Sequence, residues 1–333
     1  MKIWGMVLGG FPRSRYARYA LRDRERGVIP FKDDVEAIDR ASVQVIGAQL
    51  AAGLPVVVDG MIDWHDIFRP FVDAWRNVTV DGLLRYFDNN FFYRIPVFTG
   101  EPDPREYVTP RRVLRFKEVA DPATLKVVLP GPVSFAFMAK NNSGLSNEEL
   151  AEKIAYILRD EAKKAIEAGA SLVQVDEPFL ADIDATRDHA RLAAELVNKI
   201  VEGIEDKAIV SVYFNVPEPS VFEELLNTKA RYMMVDVVDA PGRAEKLIRG
   251  TGFGSHTPVI GAIDARRIID DKPSFVEKFL KMVDAGVDEV VVTTSTWLDL
   301  IPFRYALRKV YVLGRIVEEL AEKNGYEAYT IWR

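Results

Sequence analysis

Short apolar runs alternate with longer amphipathic segments along most of this chain. Eight runs of five or six residues have the length and composition of buried strands, and they lie at 3–8, 55–59, 125–129, 171–176, 208–213, 232–236, 258–262 and 289–294. Apolar residues three and four positions apart predict helices at 147–168, 184–202, 241–249, 274–286 and 302–323. This alternation predicts an α/β protein with a parallel sheet, and eight strands fit a single (β/α)8 TIM barrel. A doubly wound open sheet is the alternative fold.

Residues 60–124 interrupt the regular pattern. We expect an insertion after the second strand over about this range, with short strands of its own. No linker rich in Gly, Ser or Pro and no internal repeat is evident, so a single domain over residues 1–333 is predicted. The helix at 147–168 has the clearest ends, because Ser146 and Glu149 have the spacing of a capping box and Gly169 follows its last residue.

Composition excludes several kinds of chemistry. The chain contains no cysteine, which rules out disulfides, iron–sulfur clusters, thiolate zinc sites and a cysteine nucleophile within it. The three histidines, His65, His189 and His256, lie far apart in sequence, so no metal site is predicted. A net charge of −6 does not favour a nucleic-acid partner. No apolar run of about 18 residues occurs and the N-terminus lacks a full signal-peptide pattern, so no membrane partner and a cytoplasmic location are expected.

Two adjacent carboxylates follow the predicted strand at 171–176. The segment Gln174-Val-Asp-Glu-Pro178 ends that strand, and buried carboxylates are costly unless they have partners or a ligand. Side chains alternate along a strand, so Asp176 shares a face with Gln174. The carboxyl end of a parallel strand is where α/β proteins bind ligands, which makes Asp176 a candidate site residue. The alternative is that Asp176 caps the next loop or helix.

Other predicted strands also end in polar or glycine residues. They carry Gly9 and Gly10, Asp59, Gly131, Tyr213, Asn215, Asp236, Asp264 and 294–296, a set that indicates a polar ligand with donors such as amines. Gly9 and Gly10 let a backbone approach a ligand closely. Arg13, Arg15 and Arg18 could bind carboxylates in a bidentate manner. The alternative is a glycine turn that leads into a basic surface helix.

Three motifs resemble the cobalamin-independent methionine synthase family, and the similarity runs over nearly the whole chain. They are Leu8-Gly-Gly-Phe-Pro-Arg13, Leu129-Pro-Gly-Pro-Val133, and Arg159-Asp-Glu161 leading to Val173-Gln-Val-Asp-Glu-Pro178. That family uses two related (β/α)8 barrels. Its superfamily also contains uroporphyrinogen decarboxylase and coenzyme M methyltransferases.

The resemblance implies that the zinc ligands of the family's catalytic barrel are replaced here. In that barrel a His-x-Cys pair after strand five, a Glu after strand six and a Cys after strand eight hold zinc. The matching positions are Ser211 and Tyr213, Asp236, and Thr296. Hydroxyl groups do not replace two thiolates on zinc. No metal is therefore expected in this chain, and the zinc that activates homocysteine is expected only in a partner chain.

The resemblance also concerns the substrate positions. The family's aspartate that binds the homocysteine amine matches Asp176, its acidic partner matches Asn89, and the serine of its Gly-Ser-Phe motif matches Gly10. The family's N-terminal barrel has likewise lost its zinc ligands, and it contacts the polyglutamate tail of the folate. Trp64 and the segment 86–96 also look like that barrel. The chain is thus similar to the zinc-less N-terminal half, encoded separately.

Three functions remain as hypotheses. The first is the zinc-less subunit of a split methionine synthase, active only with its partner, that helps to hold a methylated folate or pterin donor. The second is a metal-free decarboxylase of the uroporphyrinogen decarboxylase kind, and the third is a non-catalytic stabilising partner. No catalytic residue is assigned, and the predicted substrate-binding residues are Gly9, Gly10, Arg13, Arg15, Arg18, Asp59, Asn89, Asp176, Tyr213 and Asp236.

Overall fold

The computed structural model describes residues 1–28, 31–87, 92–283 and 286–332. Within them the strands are β1 (Lys2–Met6), β2 (Val56–Val57), β3 (Trp75–Arg85), β4 (Phe92–Pro104), β5 (Thr124–Pro130), β6 (Lys140–Asn141), β7 (Leu172–Asp176), β8 (Ala208–Val212), β9 (Tyr232–Asp236), β10 (Thr257–Ile263), β11 (Glu289–Thr294) and β12 (Glu327–Ala328). The α-helices are α1 (Arg15–Glu25), α2 (Phe31–Ala51), α3 (Arg69–Ala74), α4 (Thr109–Ala120), α5 (Pro132–Phe137), α6 (Asn147–Ala168), α7 (Arg187–Val201), α8 (Pro219–Leu225), α9 (Pro241–Gly250), α10 (Pro273–Val283) and α11 (Phe303–Asn324).

Each of the eight predicted strands overlaps an observed strand, and the two at 232–236 and 289–294 have the predicted bounds. The five predicted helices correspond to α6, α7, α9, α10 and α11. The capping box at the start of α6 is confirmed, since Glu149 N donates to Ser146 Oγ over 3.1 Å and Ser146 N donates to Glu149 Oε2 over 2.8 Å. Gly169 ends this helix with a left-handed φ of 116°.

The described chain forms two compact units. The first contains Met1–Trp64, Phe116–Leu125 and Gly261–Arg333, and the second contains His65–Arg115 and Lys126–Ile260. Strands β5 and β10 each contribute residues to both units. The prediction of a single domain stays a prediction.

In the first unit, β1 is the central strand of a parallel group. Its neighbours are β12 and β11, with Ile3 opposite Ala328 on one side and Val290 on the other. The part of β10 that belongs to the first unit lies next to β11 in the sheet. Strand β2 pairs in parallel with the start of β5. Most interior residues of these strands are apolar and buried, whereas the hydroxyl of Thr293 in β11 is buried without a hydrogen-bond partner among the described residues.

In the second unit, β5, β7, β8 and β9 are parallel neighbours, followed by β10. Every residue of β7, β8 and β9 is buried, as expected for parallel strands with both faces covered. The register sets Asp176, the last residue of β7, opposite Pro130 and Ser211. The carboxyl ends of β5, β7 and β8, which are neighbours in the sheet, therefore lie at the same edge, and Asp176 and Ser211 meet there.

Strands β3 and β4 of the predicted insertion form a second sheet in the order β3, β4, β6, in which β6 lies after the insertion in the chain. Strands β3 and β4 are antiparallel and have 11 and 13 residues, longer than the short strands expected from the sequence. Most of β3 is exposed, which explains why its polar composition gave no buried-strand signal. Among the described residues, every helix is too short or too polar to span a lipid bilayer.

Candidate functional site at the strand ends

Asp176 lies at the end of β7 and accepts hydrogen bonds from three side chains. Gln174 Nε2 donates to Oδ1 over 2.6 Å, the Ser211 hydroxyl also donates to Oδ1, and Tyr213 OH donates to Oδ2 over 3.0 Å. The contact with Gln174 confirms that these two residues share a strand face. Burial raises the pKa of Asp176, whereas the bonds from Ser211 and Gln174 and the charge of Lys126 lower it. Both carboxylate oxygens are thus engaged within the chain.

Lys126, a residue that sequence reasoning missed, belongs to the same network. It lies in β5 with 3% of its surface exposed, and its Nζ donates to Gln174 Oε1. Gln174 therefore links the side chains of Lys126 and Asp176. Burial lowers the pKa of Lys126 to about 7, while the charge of Asp176 raises it. The sequence did contain a signal for this role, namely a lysine inside an apolar run. Lysine is almost never fully buried unless it is paired, so a buried partner could have been expected.

Asp236 ends β9, which β8 separates from β7 in the sheet, and it is fully buried. Its Oδ1 accepts the backbone N–H groups of Val238 and Asp239 over 2.8 and 3.3 Å. Its Oδ2 accepts no hydrogen bond from an amide or hydroxyl group within the described parts of the chain, and the carboxyl groups of Asp236 and Asp239 lie within hydrogen-bonding reach of each other. Burial, and then the charge of Asp239, raise the pKa of Asp236 well above its usual value. Asp176 and Asp236, at the ends of the strands on either side of β8, therefore have different hydrogen-bond environments.

Aromatic side chains pack around Tyr213. Its ring centroid lies 4.8 Å from that of Phe214, which in turn lies 5.2 Å from Tyr86 and 6.0 Å from Phe87. Phe214 and Phe87 have positive φ angles of 75° and 46°, a left-handed conformation that bulky residues rarely adopt. Such strain persists only where the surroundings enforce it, and here it accompanies the packing that holds Tyr213 beside Asp176.

Glu177 has a different role from its neighbour Asp176. Its carboxylate accepts the backbone N–H of Val133 over 3.0 Å, and the N–H and hydroxyl of Ser134 over 2.7 and 2.6 Å. These groups begin α5, so Glu177 caps that helix. The sequence left open whether Asp176 was a site residue or a cap, and in the structure the capping carboxylate is Glu177.

Gly9 and Gly10 lie in the first unit against the indole of Trp297. A Cβ on Gly9 would lie 2.2 Å from Trp297 Nε1, and one on Gly10 would lie 2.7 Å from Trp297 Cε3. The Gly10 carbonyl also accepts the N–H of Leu298 over 2.8 Å. Trp64 packs beside this indole, with ring centroids 6.1 Å apart. The close approach that the two glycines allow is therefore made by Trp297.

Arg13 is bound to the loop that follows β2. Its Nε donates to Ile62 O over 2.9 Å and its Nη2 donates to Trp64 O over 2.8 Å. Burial lowers the pKa of Arg13, and nearby acidic charges, first that of Asp63, raise it. Asp59 serves the same loop, since its Oδ1 accepts the N–H of Met61 over 3.1 Å. Arg13 and Asp59 thus both fix backbone near the end of β2.

Arg15 and Arg18 are exposed on α1. Both guanidinium groups lie over the ring of Tyr19, at 5.5 and 5.7 Å from its centroid, and that of Arg22 lies over it at 4.7 Å. A hydrogen bond from Arg15 lowers the pKa of Tyr19. The structure therefore groups these arginines on a solvent-facing surface around one aromatic ring. Asn89, the remaining predicted site residue, lies outside the described residues.

The residues at the zinc-ligand positions do not fit zinc. Ser211 and Tyr213 offer hydroxyls that donate to Asp176, and neither supplies the thiolate or imidazole that zinc prefers. Over the described ranges, no group of three or more His, Cys, Asp or Glu side chains is placed to hold a metal ion. The donor set at the ends of β8 and β9 is instead suited to hydrogen bonding.

Comparison with known proteins shows similarity to one family model and to methionine synthases. Residues 75–288 match the family model described as cobalamin-independent synthase, N-terminal domain. The chain is 29% identical to a methionine synthase of Sulfurisphaera tokodaii over 333 residues, which covers 98% of this chain and 95% of that protein. It is 24% identical to a methionine synthase of Sulfolobus acidocaldarius, with the same two coverages.

Solved structures show the same fold. A B12-independent methionine synthase from Shewanella sp. W3-18-1, in complex with selenomethionine, superposes with a TM-score of 0.79 at 17% identity over 96% of this chain and 98% of that chain. A putative vitamin-B12 independent methionine synthase from Listeria monocytogenes gives a TM-score of 0.71 at 15% identity, over 94% and 96%. The predicted (β/α)8 fold class is confirmed.

Proposed function

The chain belongs to the cobalamin-independent synthase family, whose N-terminal domain it matches, and from this premise we propose that it is the zinc-less component of a two-chain methionine synthase. Its partner is a catalytic subunit that bears zinc and activates homocysteine. The chain described here helps to bind the methylated folate or pterin that donates the methyl group. It has no transferase activity by itself.

One observation supports this proposal above the others: two of the four positions matched to the family's zinc ligands, Ser211 and Tyr213, belong to a hydrogen-bond network within the chain. Ser211 and Tyr213 donate to Asp176, and Gln174 connects that carboxylate to Lys126. A homocysteine thiol needs a metal or a base to become a nucleophile. Because Ser211 and Tyr213 offer hydroxyls where the family has metal ligands, and because the Asp176 carboxylate beside them is already hydrogen-bonded, we assign the methyl-accepting chemistry to the partner.

The donor is assigned to this chain because of the arginines on α1. Arg15, Arg18 and Arg22 are exposed around Tyr19, in a chain with a net charge of −6. Guanidinium groups bind carboxylates through paired N–H donors, and a glutamate tail carries one or more carboxylates per residue. In this proposal Arg15 and Arg18 bind that tail. Gly9, Gly10, Arg13 and Asp59 shape the nearby backbone in the same unit.

The test combines the purified chain with a zinc-bearing methionine synthase subunit, homocysteine and a methylated folate. We expect the chain to raise the rate of methionine formation and to be inactive alone. Replacing Arg15 and Arg18 together with alanine should weaken binding of a triglutamate donor by about tenfold, equivalent to about 1.4 kcal/mol, and change monoglutamate binding little. The matched control replaces Arg308 and Arg315, two exposed arginines of α11. If the chain changes neither the rate nor donor binding, the proposal is wrong.

A decarboxylase is less well supported by the geometry. Such an enzyme needs arginines whose N–H groups can bind substrate carboxylates. The Nε and Nη2 groups of Arg13 already donate to the backbone carbonyls of Ile62 and Trp64. The same assay distinguishes the proposed role from that of a non-catalytic stabilising partner. It would bind the zinc subunit without binding the methylated folate.

A further inference from the structure

The loop that follows β7 carries an isoleucine that lies almost entirely in solvent. Ile183 has 95% of its surface exposed, the largest fraction of any large apolar residue in the described chain. Single exposed apolar side chains are common, so exposure alone does not indicate a partner. Three features distinguish the surroundings of Ile183: hydrogen bonds order the loop, aromatic rings close its base, and acidic residues flank the side chain.

Hydrogen bonds within residues 179–185 order this loop. Asp182 N donates to Phe179 O over 3.0 Å, and Ala185 N donates to Asp182 O over 3.2 Å. Oδ1 of the Asp182 side chain accepts the N–H of Asp184 over 3.0 Å. Ile183 therefore lies inside a hydrogen-bonded turn, and a segment that is already ordered in this way loses little conformational freedom when it binds.

Aromatic rings close the base of the loop. Phe179, just before it, and His189, just after it, have ring centroids 5.3 Å apart, and Phe137 of α5 lies 5.7 and 4.6 Å from these two rings. The N–H of Thr186 donates to His189 Nδ1 over 3.1 Å, which fixes the end of the loop to this cluster. All three rings are partly exposed. Ile183 therefore belongs to a surface that is apolar beyond a single side chain.

Acidic residues flank Ile183 on both sides. Within the described ranges, neither Asp182 nor Asp184 forms an ion pair, whereas the next cation along the chain, Arg187, pairs with Glu224 over 2.6 Å. The surface around the isoleucine is therefore negatively charged. A complementary occupant offers an apolar pocket for the side chain and cationic groups at the rim of that pocket.

We propose that Ile183 inserts into an apolar pocket of the zinc-bearing partner chain, where Lys or Arg side chains of that chain lie against Asp182 and Asp184. The inference rests on the proposed function, which supplies the partner. The loop leaves the carboxyl end of β7 shortly after Asp176, and this is the end of the strands at which barrels of this kind bind their ligands. A chain that shares a ligand with such a barrel has to approach that end.

The experiment measures binding of the purified full chain to a zinc-bearing methionine synthase subunit by calorimetric titration. Ile183→Ser should weaken binding at least tenfold, because the burial of the isoleucine side chain is lost. The variant should unfold at the same denaturant concentration as the wild type, since this side chain is exposed in the free chain. Leu114→Ser, at an exposed leucine of α4 in the same unit, is the matched control and should bind as the wild type does.

A second pair of variants tests the charge complementarity. Asp184→Asn should weaken binding by a smaller factor than Ile183→Ser and should reduce the loss of affinity that added salt causes in the wild type. Asp206→Asn, at an exposed aspartate of the same unit, should change neither the affinity nor its dependence on salt.

Three results would overturn the inference. They are no binding of the wild type to the zinc subunit, an equal affinity of the wild type and Ile183→Ser, and a dimer of the chain alone that Ile183→Ser dissociates, because the occupant would then be a second copy. Methyl transfer is measured in the same mixtures. Binding that depends on Ile183 without stimulation of methyl transfer would contradict the proposed function alone, and stimulation with unchanged binding of Ile183→Ser would contradict this inference alone.

Discussion

The carboxylate of Glu177 occupies the space that a side chain on Gly131 would need. A Cβ on Gly131 would lie 2.1 Å from Glu177 Cδ and 2.5 Å from its Oε1. From this position Glu177 accepts the backbone N–H groups of Val133 and Ser134 at the start of α5. Two sequence motifs that lie more than 40 residues apart are therefore in direct contact in the folded chain. Gly131 in the first makes room for Glu177 in the second.

Replacing Gly131 with alanine should destabilise the protein. The methyl group would displace the Glu177 carboxylate and break the cap of α5, and overpacking of this kind costs about 1–3 kcal/mol, with the lost cap adding to it. The measurement is the free energy of unfolding in denaturant. Gly242→Ala is the control, because a Cβ at Gly242 meets no atom within 4 Å. An equal effect of both substitutions would show that Gly131 is not there to admit Glu177.

The double variant Gly131→Ala with Glu177→Ala refines this test. Removing the carboxylate relieves the clash, so the two substitutions should cost less together than the sum of their separate effects. Additive losses would mean that the two residues do not interact in the way the geometry indicates.

Replacing Glu161 with glutamine should flatten the pH dependence of stability between about pH 4.5 and 7. Glu161 is buried and accepts the N–H and hydroxyl of Thr109, and its Oε2 has no partner among the described residues. Burial raises the pKa of Glu161 to about 7. In this range the native state retains a proton that the unfolded chain has lost, so the free energy of unfolding falls as pH rises, by at most about 1.4 kcal/mol per pH unit.

Denaturant unfolding at several pH values measures this slope. Glu177, whose pKa burial also raises to about 7, keeps its own contribution in the variant, so the slope should decrease rather than vanish. Glu167→Gln, at an exposed position of the same helix, is the control and should leave the slope unchanged. A Glu161→Gln slope equal to that of the wild type would contradict the assignment.

Replacing Lys126 with methionine should remove a rise of stability at alkaline pH. Burial lowers the pKa of Lys126 to about 7, whereas an unfolded lysine titrates near pH 10.5. Between these values the native state binds fewer protons than the unfolded state, so the free energy of unfolding rises with pH. The wild type should gain stability relative to Lys126→Met from pH 7 to 10. Lys246→Met, at an exposed lysine of α9, should behave as the wild type does.

Replacing Gly9 with alanine should displace Trp297. The new methyl group would lie 2.2 Å from Trp297 Nε1, so either the indole or the backbone of Gly9 must move. We expect the free energy of unfolding to fall by about 1–3 kcal/mol or more. Tryptophan fluorescence should change together with stability. In a Trp297→Ala background the same substitution should have little effect, because the indole is gone. Gly47→Ala, where a Cβ meets nothing within 4 Å, should be harmless.

The sequence by itself determined the order and type of the main elements. Apolar runs that are buried on both faces and helices with one apolar stripe have distinct periods, so β9, β11 and α6 could be predicted with their observed bounds. The ends of α6 were equally readable, because Ser146, Glu149 and Gly169 act within a few residues of one another. The long exposed strands β3 and β4 were not predicted at their length, since neither face gives a continuous apolar signal.

Only the tertiary structure decided which polar residues meet. The strand end at Asp176 was visible in the sequence, but its partners come from β5, β7 and the end of β8, and their meeting depends on strand register. Lys126 looked like an ordinary strand residue until the fold placed it against Gln174, and the contact of Trp297 with Gly9 could not be read from the sequence. Local pattern is set by neighbours along the chain, whereas hydrogen bonding and close packing of distant residues are set by how the strands align. That is why the sequence indicated which strand end carries the carboxylates, and the structure decided that Asp176 bonds to neighbouring strands whereas Glu177 caps a helix.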